Sequence, residues 1–101
     1  MEVQLLNRVD QGDMRQEILR QIGRATSAVV KDGVVTVTAP LGMAEIVTTG
    51  DVVTFEWRGR GADVAYRFWM ERSDATVRAL GDALRRVRQA NPGSRSRLAV
   101  A

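Results

Sequence analysis

The sequence predicts an α+β domain, a mostly antiparallel meander sheet of four or five strands with two amphipathic helices on one face. Three observations carry this reading. The run from Asp51 to Glu71 alternates apolar and polar residues with a period of two on both sides of a glycine-arginine loop. Lys31-Asp32-Gly33-Val34 has the chemistry of a two-residue hairpin turn between two valine-rich runs. Helical stripes flank this β-prone middle, one at Met14, Ile18 and Ile22, the other at Val77, Leu80, Leu84 and Val87. The expected order is β-α-β-β-β-β-α. One domain is expected over residues 1–93, followed by a short basic tail over residues 94–101.

Glu2 to Val9 alternates weakly, with Val3, Leu5 and Val9 on one side and Glu2, Gln4 and Arg8 on the other. It reads as a short strand, with a helix as the competing reading because Leu6 and Asn7 blur the alternation. Asp10 offers an N-cap oxygen to the first helix. Val9 and Met14 have the spacing of a hydrophobic staple. Leu19 and Ala25 flank the helical stripe, while Arg15, Gln16, Arg20 and Arg24 face outward and Glu17 can pair with Arg20. The helix stops at Gly23 or runs on to Thr26.

A two-residue Asp32-Gly33 turn sets Val30 opposite Val35 and Ala28 opposite Val37, and these four should line the core. Ser27, Val29, Thr36 and Thr38 should form the outer side. Pro40 and Gly42 mark a break, Met43 to Thr48 is a further strand, and Thr49-Gly50-Asp51 turns the chain into the central hairpin. There, Val53, Phe55 and Trp57 share a side with Val64, Tyr66, Phe68 and Met70. Four of the five aromatics, Phe55, Trp57, Tyr66 and Phe68, should form the centre of the core. Ser73 or Asp74 caps the last helix. Gly81 inside that helix costs about 1 kcal/mol relative to alanine, so close packing is its expected reason. Asn91-Pro92-Gly93 ends the helix.

Composition removes several chemistries. With no histidine and no cysteine, the usual zinc and iron ligands are missing, as are Ser-His and Cys-His nucleophile pairs. The twelve acids are scattered, without calcium-loop spacing and without a pair placed in one apolar pocket. No catalysis, cofactor or metal is therefore expected. Arg58-Gly59-Arg60-Gly61 follows a strand, but no helix begins there to cradle a phosphate. No stretch has the length of an apolar membrane-spanning helix, and MEVQLLNRVDQGD lacks the pattern of a signal segment, so a cytoplasmic location is expected. Fourteen arginines against the single Lys31 fit a GC-rich bacterial genome, or that of its phage.

What remains is a small non-catalytic protein-interaction module, an adaptor, inhibitor or accessory subunit. It would bind a protein partner, or itself as a homodimer, through an open sheet face or a sheet edge. Trp69 carries this expectation, because it breaks the polar side made by Thr36, Thr38, Thr54, Glu56 and Arg67. Tryptophan and arginine are the residue types enriched at interface hot spots. The expected partner-binding residues are Trp69, Arg67, Arg58 and Arg60. The blander readings are a covering element over Trp69, an Arg67–Glu56 cross-strand ion pair and a solvated Arg58–Arg60 loop. The alternative function is nucleic-acid binding through the arginine-rich C-terminal segment, using Arg85, Arg86, Arg88, Arg95 and Arg97.

Overall fold

Residues 1–90 of the chain are described by a computed structural model, the side chain of Val9 excepted. Strands β1 (Glu2–Leu5), β2 (Ser27–Lys31), β3 (Val34–Ala39), β4 (Gly42–Thr49), β5 (Val52–Gly59) and β6 (Val64–Glu71) form one sheet. Helix α1 (Gly12–Gly23) follows β1, and α2 (Ala75–Ala90) follows β6. The α+β class holds, but the sheet has six strands in the order β1-β6-β5-β4-β3-β2. Each β-prone run after α1 keeps a strand of its own, so the chain order gains one strand over the expected β-α-β-β-β-β-α. Strands β2 to β6 are an antiparallel meander, and β1 lies parallel to β6 at its edge.

The turns set the register. Asp32 and Gly33 both have positive φ, 53° and 78°, as a right-twisted two-residue hairpin requires. They place Val30 opposite Val35 and Ala28 opposite Val37, as the sequence predicts. Gly50, at φ 59°, makes the turn from β4 into β5. Gly42 has a different role: a Cβ there would meet the Arg58 carbonyl and lie 2.7 Å from the Trp57 ring. Only hydrogen fits between β4 and that indole.

Both helices cover one face of the sheet. Ile18, Leu19, Ile22, Leu80 and Leu84 pack with Val37, Ala44, Ile46, Val53, Phe55, Trp57 and Phe68 in a single core. Phe55 and Phe68 face each other across β5 and β6 and stack with ring centroids 4.9 Å apart. Tyr66 and Met70 share this face but are only half-buried at its margin. Asp74 Oδ1 accepts the Thr76 N–H at 2.8 Å, which caps the start of α2. The stop at Asn91-Pro92-Gly93 and the segment 94–101 lie outside the described residues.

Several expectations are corrected. Asp10 does not cap α1, because Val9–Gln11 forms a 3₁₀ turn closed by Gln11 N–H to the Arg8 carbonyl, and the helix begins at Gly12. The buried stripe of α1 centres on Ile18, Leu19 and Ile22, leaving Met14 exposed. The Met14–Val9 staple involves a side chain outside the described set. Val30 is exposed and Val35 half-buried, both on the strand pair next to the Asp32-Gly33 turn, so the core does not extend to the hairpin tip. Gly81 has no close neighbour: a Cβ added there would meet nothing within 4 Å. In β1, the apolar Val3 and Leu5 point to the uncovered face, while Leu6 just beyond the strand is in the core at 2% exposure.

Candidate interaction face

Alternation along six paired strands builds the uncovered face in rows running across the sheet. One row is Val29, Thr36, Glu45, Glu56, Arg67 and Leu5. The next is Lys31, Val34, Val47, Thr54 and Trp69. On the other side of the first lie Ser27, Thr38, Met43, Arg58, Ala65 and Val3. Val52 stands beside Glu71 at one end. Among the described residues no helix lies here, since α1 and α2 both pack against the opposite side.

Trp69 is 47% exposed on this face, directly opposite Thr54. Its backbone is held from the edge: Trp69 N–H donates to Asn7 Oδ1 and Asn7 Nδ2 donates to the Trp69 carbonyl, both at 2.9 Å. The Asn7 amide thus continues the hydrogen bonding of β1 one step past its end and fixes the β6 backbone where the indole leaves it. Sequence reading missed this role, although an amide side chain immediately after a short edge strand is a usable signal.

Arg67, one residue pair from Trp69 on the same side, donates from Nη2 at 2.6 Å and from Nε at 3.0 Å to Glu56 Oε2. The ion pair is half-exposed, so its direct contribution to stability is below about 1 kcal/mol. It does tie the guanidinium of Arg67 on β6 to Glu56 on β5. Glu45 stands directly opposite Glu56 on β4, an arrangement of like charges that mildly weakens the pairing. Arg58 lies on the same face between Met43 and Ala65. Arg60 is set apart in the β5–β6 loop, where with Arg58, Thr38 and Met43 it lines an open cleft of about 370 Å³. The structure therefore brings Trp69, Arg67 and Arg58 to one surface and leaves Arg60 at its rim.

The apolar residues gather here too. Among the described residues ten large hydrophobic side chains are exposed, and six of them stand on strand positions of this face: Val3, Leu5, Val29, Met43, Val52 and Trp69. Single exposed apolar residues are ordinary, whereas a concentration on one face of one sheet makes that face the candidate surface.

The arginines of the alternative reading lie elsewhere. Arg85 and Arg86 are exposed on α2, Arg85 pairing with Asp82 at 3.0 Å, and Arg88 is half-buried in its last turn. They are separated from Trp69 by the thickness of the sheet. Arg95 and Arg97 lie outside the described residues. Among the described residues no three His, Cys, Asp or Glu side chains gather as a metal site, and no helix is long and apolar enough to cross a membrane. The chain matches no protein-family model, no curated protein and no solved structure.

Proposed function

We propose that this chain is a small non-catalytic interaction module, an adaptor, inhibitor or accessory subunit, that docks a protein through the uncovered face of its sheet. The observation that carries the proposal is Trp69: a large indole in water, on a backbone fixed by Asn7, within the face that holds most of the exposed apolar side chains. A rigid aromatic anchor beside an oriented guanidinium is the arrangement found at binding hot spots. Arg67 and Arg58 supply polar contacts, and Arg60 reaches the rim.

Replacing Trp69 by alanine is expected to leave the far-ultraviolet circular dichroism unchanged and to abolish capture of partners by the immobilised protein. Equal capture by both forms, with every bound protein identified by mass spectrometry, would remove the basis of the proposal. Nucleic-acid binding has less support, because Trp69 is on the opposite side of the sheet from Arg85, Arg86 and Arg88 and base stacking beside those charges is lost. Binding of single-stranded DNA that weakens steeply with salt would favour that alternative instead.

A further inference from the structure

We infer that the groove between α2 and the helix-covered face of β4 and β5 binds a small amphiphilic anion, a carboxylate carried on an alkyl chain. The site is on the other side of the sheet from Trp69 and does not depend on the docking reading above. The groove has a volume of about 340 Å³, within the range of small-molecule sites. Its apolar wall is made by Ile46, Val53 and Phe55 from the sheet and by Val77, Leu80 and Leu84 from α2. Five of these six belong to the buried core, and Val77 packs against it. An alkyl chain lying here would continue the core outward and leave water as it did so. Gly81 is on the same wall. A glycine inside a helix costs about 1 kcal/mol relative to alanine, and no neighbour within 4 Å demands the missing side chain. The groove supplies the reason that packing does not. A helical side chain leans over the turn before its own Cα, so a large one at position 81 would lie toward Val77 and Arg78 and fill the space.

Charge names the head group. Arg72, Arg78 and Arg85 rim the groove against the single carboxylate of Asp82. Arg85 Nη1 donates to Asp82 Oδ1 at 3.0 Å, so those two charges answer each other. Among the described residues Arg72 and Arg78 form no ion pair, although Asp51 and Glu71 line the adjoining cleft with them. Two guanidinium groups without a carboxylate partner, set at the edge of an apolar wall, match a ligand divided in the same way. A carboxylate can accept two parallel N–H donors from one guanidinium. An inorganic anion would meet the arginines and leave the wall wet, and an uncharged apolar molecule would cover the wall and leave the arginines unanswered.

The test is an NMR titration of the whole chain with octanoate below its micelle concentration, with octanol as the uncharged counterpart. Octanoate should move the amide resonances of Thr48, Val53, Val77 and Gly81, which line the groove, along saturable curves. Octanol should bind at least about tenfold more weakly. Replacing Arg72 and Arg78 together by alanine should reduce octanoate to the level of octanol. Gly81→Leu puts a better helix former in place of glycine, so it should keep the fold, and it should weaken octanoate by at least about tenfold. Trp69→Ala should leave octanoate binding unchanged, so loss of this site and loss of the docking face are read separately. Absence of saturable shifts at the four groove residues overturns the inference. Equal binding of octanoate and octanol overturns it too, as does a folded Gly81→Leu that binds octanoate like the wild type. Where Gly81→Leu does not fold, the double arginine variant decides: octanoate binding that it leaves unchanged overturns the inference.

Discussion

The two faces of the sheet are built from the same strands, residue by alternate residue, and come to different ends. The covered face carries Phe55, Phe68, Trp57, Val53 and Ile46 under two helices, and it is dry. The uncovered face interleaves Trp69, Leu5, Val3, Val52 and Met43 with Glu45, Glu56, Arg58 and Arg67, and it remains wet. Hydrophobicity alone does not separate them, because both hold large apolar side chains. What differs is the regular insertion of charge. A face made entirely of apolar residues would force permanent burial, whereas one threaded with carboxylates and guanidinium groups keeps polar groups that water can hydrate.

This contrast can be broken on the covered side first. Phe68→Ala removes half of the stacked phenylalanine pair at a position with no exposure. It should lower unfolding free energy by about 3–5 kcal/mol, read from the urea midpoint. Gly42→Ala presses a methyl group on the Trp57 ring and the Arg58 carbonyl, and a loss of about 1–3 kcal/mol is expected. The fluorescence of Trp57 should shift in the same variant. Asp74→Ala deletes the cap of α2 and should cost about 1 kcal/mol in thermal or urea unfolding. Gly81→Ala should act in the opposite sense, raising stability by up to about 1 kcal/mol, since the added methyl group meets no neighbour within 4 Å. The smallest effect on folding sharpens the comparison most. Trp69→Ala should change stability by no more than about 0.5 kcal/mol, as a surface substitution does, while association is lost. A loss of several kcal/mol there would make the uncovered face part of the core.

The middle of the chain was legible because its signals are local. Asp32-Gly33 carries its turn type in two residues, and the register of β2 on β3 follows from it. The alternation of the central hairpin puts Glu56, Arg67, Thr54 and Trp69 on one face, and the Glu56–Arg67 pair is one register it allows. Positions governed by distant partners were not legible. Alternation in β1 shows that Val3 and Leu5 share a side, but which side is covered depends on pairing with β6, far along the chain. The same distance hides Leu6 in the core and Asn7 against Trp69. Gly81 misled for a related reason: its propensity cost is a local quantity, while the open space beside it is set by how α2 crosses the sheet. Asp10 lost its capping role to a competing local hydrogen bond, the one from Gln11 to Arg8.

The parallel seating of β1 on β6 has a temporal consequence. Asn7 is bonded to a residue 62 positions further on. As the polypeptide leaves the ribosome, β1 must wait, edge unpaired, until β6 emerges. Closing so long a loop is a late event by its entropy. The anchor for Trp69 is therefore completed only when the meander is already in place, and the indole takes up its position on the uncovered face only once the sheet that supports it exists.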